Sequence, residues 1–169
     1  ITEGNHGGLC YTARLDFLPF GAFEGKKQDY ILSDLTRQST PKLAFGVTYN
    51  QNQNAVRQQG QLGRFVTDSL GNFVENTLTQ IEADILFKYQ GFSVLAEYAM
   101  TEGAKQLIDV SKNFNTGSGL NIQAGYLLKS NWEFAAIYTS VAPDNATFSG
   151  IKEQNEYTLG ISRYISNHN

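Results

Sequence analysis

The chain has 169 residues with 16 acidic and 13 basic side chains, so its formal net charge at pH 7 is −3. This balance provides no basic face and argues against a nucleic-acid-binding protein. No apolar run reaches the roughly eighteen residues of a transmembrane helix. A membrane barrel of β-strands stays open, because every second residue of such a strand is polar.

The first two predicted strands cover residues 9–17 and 42–50. Both alternate apolar and polar side chains, and a period of two predicts a β-strand with one apolar and one polar face. Residues 18–41 form a long connection between them, in which residues 29–35 could make a helical turn.

The clearest hairpin lies at residues 79–100, TQIEADILFKYQGFSVLAEYAM. Its two arms alternate over about ten residues each, and Gln90-Gly91 turns the chain between them. Strands in soluble proteins are mostly about 5–6 residues long, whereas a tilted membrane-spanning strand needs about 9–11. The hairpin therefore predicts an apolar face toward lipid and a polar face toward water.

Three further predicted strands, at residues 119–128, 132–141 and 156–165, bring the number to seven. Short turns at 90–91 and 129–131 alternate with long connections, which are residues 51–78, 101–118 and 142–155. Outer-membrane barrels have this layout, with residues 18–41 as the exception. The predicted fold is an all-β, antiparallel transmembrane β-barrel. Because barrels of this kind have an even strand number of about eight or more, residues 1–169 are expected to belong to one barrel domain truncated at both ends.

Aromatic residues lie near several ends of the apolar faces, where an interfacial girdle would place them. They are Phe17, Tyr49, Tyr89, Phe92, Tyr126 and Trp132. Aromatic residues are also common in any strand, which is the alternative. Arg163 follows the apolar parity near the end of its strand, so it could snorkel to the interface, or a bulge could change its face.

Charged residues of the polar faces are the candidate pore-lining residues, because ionisable groups in a water-filled lumen tune which ions pass. They are Arg14, Lys42, Glu82, Asp84, Lys88, Glu97 and Glu133. Arg57 and Arg64 are constriction-loop candidates if their long loop folds inward. A solvated outer loop is the alternative.

Motifs for catalysis or metal binding are missing from the sequence. The two histidines, His6 and His168, lie near the ends, and the single Cys10 cannot form an internal disulfide. There is no zinc, calcium, nucleotide or nucleophile-elbow motif. The carboxylates of the 79–100 hairpin could be read as an acid–base pair, but a hydrated wall is the favoured interpretation. We therefore predict no catalytic residue, no metal, no cofactor and no enzyme.

Stretches over nearly the whole chain resemble the phosphate-selective porin O/P family of outer-membrane porins, in its Bacteroidetes-type form. The most specific are PKLAFGVTYN (41–50), NAVRQQGQLG (54–63), KYQGFSVLAEY (88–98) and YTLGISRYI (157–165). The resemblance implies a sixteen-stranded homotrimeric barrel, of which this chain covers middle-to-late strands. It also implies passive passage of small solutes, phosphate-like anions among them. The family often has a basic residue where this chain has Ile137.

Three functions follow as hypotheses. The first is a porin of the cell outer membrane, whose partners are membrane lipid, small solutes or ions and two further copies of itself. The second is a soluble antiparallel β-sandwich, such as a carbohydrate-binding module, that buries the same apolar faces against each other. The third is a barrel serving as a structural subunit of a larger envelope assembly.

Overall fold

The computed structural model describes residues 7–25, 27, 31–104, 113–144 and 152–165. Within these residues the chain forms nine strands and no helix. The strands are β1 (Cys10–Phe17), β2 (Lys42–Ala55), β3 (Arg57–Gln59), β4 (Leu62–Phe65), β5 (Asn76–Tyr89), β6 (Phe92–Gly103), β7 (Gly117–Leu127), β8 (Trp132–Pro143) and β9 (Gln154–Arg163). No described helix exists that would be long and apolar enough to cross a membrane.

One antiparallel sheet contains seven of the strands in the order β1-β2-β5-β6-β7-β8-β9, while β3 and β4 pair with each other. Each strand of the large sheet is paired with the next large-sheet strand in sequence, so the chain runs as a meander. The prediction of an all-β, antiparallel fold is confirmed. The described residues do not close the sheet into a barrel, since β1 and β9 are its two edges.

All seven predicted strands are present, but several are longer than expected. β2 and β5 each have 14 residues, so the long connection between them begins after Ala55 and ends before Asn76. The predicted long connection over residues 51–78 is therefore shorter than expected, because its two ends belong to β2 and β5, and the β3–β4 hairpin lies within it. Within the other long connections, residues 105–112 and 145–151 lie outside the described residues.

The predicted turn at Gln90-Gly91 is confirmed as the tight connection between β5 and β6. Both residues have positive φ, 49° for Gln90 and 90° for Gly91. Paired positive φ values match the right-handed twist of the flanking strands. A Cβ on Gly91 would lie 2.5 Å from the carbonyl oxygen of Leu127, so the neighbouring strand also requires glycine here.

Residues 31–40 cover part of the polar face of the sheet, and we call this segment the inner cover. The helical turn predicted for residues 29–35 is not found in its described part, residues 31–35; residues 29 and 30 lie outside the described residues. Local pattern suggested a helix, but the backbone and side chains of the inner cover instead bond to the turns of the sheet.

The apolar face of the sheet is exposed, whereas much of the polar face is covered. Phe134 on the apolar face is 52% exposed, while Lys88 and Ser93 on the polar face are 0% exposed. Every strand of the sheet contributes exposed large apolar side chains, among them Leu15, Phe45, Ile85, Tyr98, Ile122, Phe134 and Leu159. A contiguous exposed apolar surface marks a membrane or protein contact.

A small apolar cluster lies under the long loops, away from this exposed face. Ala55, Val66, Leu78 and Phe114 form it, and Val74 packs against it. Pairing shifts between Asn52 and Ala55, which is a bulge that changes the direction of the Ala55 side chain relative to the strand pattern. The cluster attaches the loop region to the polar side of β2 and β5, the side that Leu78 shares with its partner Asn52.

Candidate functional site

The middle of the polar face carries a row of acidic side chains. One register position can be followed across all seven strands, from each residue to its direct partner on the next strand. It contains Asp16, Gly46, Asp84, Glu97, Asn121, Thr139 and Glu156. Four of these seven residues are carboxylates, and we call the set the acidic row. Directly opposed like charges on a sheet are destabilising, so the row requires compensation.

Arg14 supplies part of that compensation at the β1 end of the row. Its guanidinium nitrogens lie 2.7 Å from Asp16 Oδ1 and 2.8 Å from Asp84 Oδ2, and Nη1 donates a hydrogen bond to Thr48 Oγ1 at 3.0 Å. The guanidinium lies over Gly46, where a Cβ would collide with it. Glycine at this position therefore allows Arg14 to reach across β2 to β5.

The remaining carboxylates of this region have neutral partners. Gln80 donates to Glu82 at 2.6 Å, Asn121 donates to Glu97 at 2.9 Å, and the Thr158 hydroxyl lies 3.3 Å from Glu156. None of the three carboxylates forms a salt bridge with a described residue. The middle of the polar face therefore carries excess negative charge.

A concave pocket of about 520 Å³ lies over this part of the polar face of the sheet. Predicted pore-lining residues from three strands meet here, and they are Arg14, Glu82, Asp84 and Glu97. Asn121, Thr139 and Ser140, which sequence reasoning did not select, add to its polar lining. The residue-by-residue pairing of β5 to β8 brings these side chains together.

Lys88 and Glu133 are placed differently from the other predicted pore-lining residues, because both are buried under the inner cover. Lys88 Nζ donates to the carbonyl oxygens of Ile31 and Ser33. Glu133 accepts hydrogen bonds from Ser33 Oγ at 2.5 Å and from the Tyr164 hydroxyl at 2.7 Å. These charges bond to the chain itself at the short-turn end of the wall.

Lys42, the last of the predicted set, is half-buried at the same end of the sheet as Lys88, its direct partner across β2 and β5. Its Nζ donates to the carbonyl oxygen of Phe20 at 3.2 Å. The basic residues of the polar face are thus bonded to backbone carbonyls or, for Arg14, to carboxylates.

Asp34, Arg37 and Gln38 attach the inner cover to the two short turns of the sheet. The Asp34 carboxylate accepts from the backbone N–H of Gly91 at 2.8 Å and from that of Gln38 at 3.0 Å. The N–H of Gln90 donates to the carbonyl of Gln38 at 3.1 Å. Sequence reasoning missed these residues; the only signal was an unusually long polar connection on the short-turn side.

Arg37 attaches the same segment to the turn between β7 and β8. Its Nη2 donates to the carbonyl of Leu128 at 2.7 Å and to Asn131 Oδ1 at 3.1 Å. The inner cover therefore bridges two separate hairpin turns.

Tyr164, just after β9, is the residue through which the far edge of the sheet meets this cluster. Burial raises the pKa of its hydroxyl, the bond to Glu133 raises it further, and the nearby Ser33 hydroxyl acts in the opposite direction. A half-buried phenol next to a carboxylate keeps its proton more tightly, since the charged form would lose water and face a negative neighbour.

The β3–β4 hairpin lies against the polar face at the long-loop end. A Cβ on Gly60 would lie 2.9 Å from Asn52 Nδ2, and the N–H of Asn115 donates to the carbonyl of Gln58 at 2.7 Å. Between hairpin and wall is a pocket of about 390 Å³, lined on the hairpin side by Gln59, Gly60 and Gln61. Amides rather than arginines therefore face this space.

Arg57 and Arg64, the predicted constriction residues, are placed apart from that lining. Arg57 donates to the carbonyl of Gly63 at 2.8 Å and stacks over the ring of Phe65, 4.0 Å from its centroid. Arg64 is exposed. The loop does fold onto the polar face, but Arg57 stabilises the hairpin itself.

Arg163 stays on the apolar face, because the pairing of β8 with β9 runs without a bulge to Trp132 and Arg163. Its guanidinium carbon lies 5.3 Å from the centroid of the Trp132 ring. The two residues form a cation–π pair at the short-turn end, where an interfacial residue would be placed.

Comparisons do not place the chain in a family: no protein-family model matches it, and neither curated proteins nor solved structures provide a match. The resemblance to phosphate-selective porins stays a prediction. Among the described residues no group of three or more His, Cys, Asp or Glu side chains is arranged to hold a metal ion, and His6 and His168 lie outside them.

Proposed function

We propose that this protein forms part of an outer-membrane channel, in which small solutes diffuse along the polar face while the apolar face contacts lipid. One observation supports the proposal above the others: the sheet exposes its large apolar side chains, while part of its polar face is covered. In water this arrangement would be unfavourable by roughly 25 cal/mol for each Å² of exposed apolar surface. In a bilayer the same surface has its preferred solvent.

Strand length supports the same proposal. β5 to β8 have 14, 12, 11 and 12 residues, which is long enough for tilted strands to cross the hydrocarbon core. A soluble β-sandwich accounts for the alternation but not for the exposure, because it would bury Phe134 and its neighbours against a second sheet.

The charges of the wall favour small cations over phosphate-like anions. Glu82, Glu97 and Glu156 have neutral partners, whereas Arg14 lies between two carboxylates and Lys88 is buried. Rings of Asp and Glu attract cations in channels, and selectivity for phosphate requires Arg and Lys instead. Transport would be passive, with no catalytic residue and no cofactor.

A structural subunit of an envelope assembly is the second candidate, and the two covered ends of the polar face favour it. The inner cover occupies the short-turn end, and the β3–β4 hairpin occupies part of the long-loop end. A barrel sealed at both ends would serve as a membrane anchor without conducting. The homotrimer that the resemblance implies is compatible with either function.

A planar-bilayer recording of the full-length protein tests the proposal. Stepwise conductance with a reversal potential of cation-selective sign across a salt gradient is the expected result. Conductance of anion-selective sign would keep the channel and reject the cation preference. Folded protein that inserts without conducting would reject the channel and favour the structural subunit.

A further inference from the structure

We propose that the inner cover, residues 31–40, is a fixed constriction that sets the size limit for solutes at the short-turn end, with Asp34 as its positioning residue. This inference rests on the proposed channel function.

The anchors of the cover lie on opposite sides of it. Asp34 and Gln38 bond to the β5–β6 turn through the N–H groups of Gly91 and Gln90. Arg37 bonds to the β7–β8 turn through Leu128 and Asn131. A segment attached to two turns of a rigid sheet is held in one position, whereas a segment that has lost one of the two attachments can swing about the other.

The contacts beneath the cover are buried and polar, which ties its position to the wall. Ser33 bonds to Glu133 through its hydroxyl and accepts from Lys88 through its carbonyl oxygen. Asp34, Gln38, Lys88 and Ser93 are all 0% exposed. Hydrogen bonds in such surroundings are stronger than at an open surface, and charged groups separated from their partners there would be costly.

Asp34 holds the centre of this arrangement. Its carboxylate bonds both within the cover, to the N–H of Gln38, and across to the wall, at Gly91. No other described side chain of the cover accepts from a turn N–H of the sheet. Its removal should loosen the cover at the β5–β6 turn, because the remaining bond there, from the N–H of Gln90 to the carbonyl of Gln38, loses the carboxylate that positions Gln38, and it should leave the strands intact.

The volume that the cover occupies narrows the path available to solutes at the short-turn end. The cover contacts Lys88 on β5, Glu133 on β8 and the β5–β6 turn at the short-turn end, while the pocket over the acidic row stays open. Solutes moving along the wall must pass beside the cover, so its position limits their size.

The first experiment compares Asp34→Ala with Asp144→Ala in the full-length protein, by single-channel conductance and by exclusion of graded polyethylene glycols. Asp144 is an exposed aspartate at the long-loop end and serves as the matched control. Higher conductance and entry of larger polymers in Asp34→Ala alone are expected. An unchanged conductance and polymer limit in folded Asp34→Ala would overturn the inference.

The second experiment measures the cover directly, and it works even if Asp34→Ala fails to fold. Ser93 is fully buried and is the direct partner of Lys88, the lysine that bonds to the cover. Its hydroxyl has no hydrogen-bond partner among the described residues, so Ser93→Cys costs no bond. Ser130→Cys, exposed in the neighbouring turn, is the control, and both are made with Cys10→Ser because Cys10 is exposed.

A methanethiosulfonate reagent should label Ser130→Cys and leave Ser93→Cys unmodified, and added Asp34→Ala should make Ser93→Cys reactive. Equal labelling of the two cysteines with Asp34 intact would show that the cover is not fixed. If the protein never conducts while this labelling pattern holds, the channel proposal and the size limit both fail, although the fixed cover stands.

Discussion

Arg14 on β1 reaches Asp84 on β5, although β2 lies between the two strands. Nη1 of the arginine is 2.8 Å from Oδ2 of the aspartate, and the guanidinium crosses above Gly46. Together with the bonds from Arg14 to Asp16 and Thr48, it joins three strands on the polar face and places one positive charge between two members of the acidic row. It exists only because the intervening residue has no side chain.

Replacement of that glycine should break the contact. A Cβ at position 46 would collide with the Arg14 guanidinium and lie 2.7 Å from Asp84 Oδ2, so Gly46→Ala must displace one of them. We expect a loss of about 1–3 kcal/mol in the free energy of unfolding, as for other overpacked sites. Denaturant unfolding in detergent measures it. Gly160→Ala on β9, where a Cβ would meet nothing within 4 Å, is the matched control, and equal stability of the two variants would contradict the prediction.

Neutralising Glu82 and Glu97, whose hydrogen-bond partners carry no charge, should weaken the proposed cation preference. The double variant Glu82→Gln and Glu97→Gln removes two negative charges from the pocket while keeping side-chain shape. We expect the reversal potential across a salt gradient to move toward zero or change sign, because lumen charge sets ion preference. Glu153→Gln, on an exposed residue just before β9, should leave it unchanged. An unaltered reversal potential in the double variant would mean that charges elsewhere determine selectivity.

Trp132 reports whether lipid contacts the apolar face. It is the single tryptophan of the chain and is 40% exposed on that face, so its fluorescence needs no deconvolution. In vesicles we expect strong quenching by brominated phospholipids and weak quenching by aqueous acrylamide. The reverse order, or a protein that stays in solution without detergent, would favour the β-sandwich.

Tyr164 should give an alkaline step in stability. Its folded-state pKa is raised above the unfolded value of 10.0, mainly by burial, so the folded state holds the phenolic proton more tightly. Its stabilising effect is complete below pH 10 and is lost as the pH rises through the higher folded-state pKa. Unfolding measured against pH for the native protein and for Tyr164→Phe tests this. The difference between the two curves should diminish above pH 10, and a constant difference would show that Tyr164 does not titrate with unfolding.

Alternation along the chain predicted most of the strand framework. A period of two assigned Phe134 and Ile85 to the apolar face and Glu97 and Asp84 to the polar face, and both assignments match the pairing. The Gln90-Gly91 turn was predictable for a similar reason, since its conformation depends on two adjacent residues. These features are local, so neighbouring residues contain the information.

The coverings of the polar face could not be predicted in this way. Ser33 meets Glu133 across 100 positions of sequence, and Asp34 meets Gly91 across 57. The alternation of side chains along β5 predicts which face of the sheet Lys88 occupies, but it does not predict that another segment lies over that lysine. The bulge between Asn52 and Ala55 likewise could not be predicted, because residues 50–54 are all Asn or Gln and contain no apolar alternation to indicate it.

The sequence by itself determined the strands, their two faces and the short turns, because side-chain direction alternates with residue number in any extended chain. Only the tertiary structure decided which charges of the polar face remain accessible. Arg14 is neutralised across Gly46, and Lys88 and Glu133 are buried under the inner cover, while Glu82 and Glu97 stay at the pocket. The physical reason is that charge compensation and burial depend on distances in space between residues far apart in the chain.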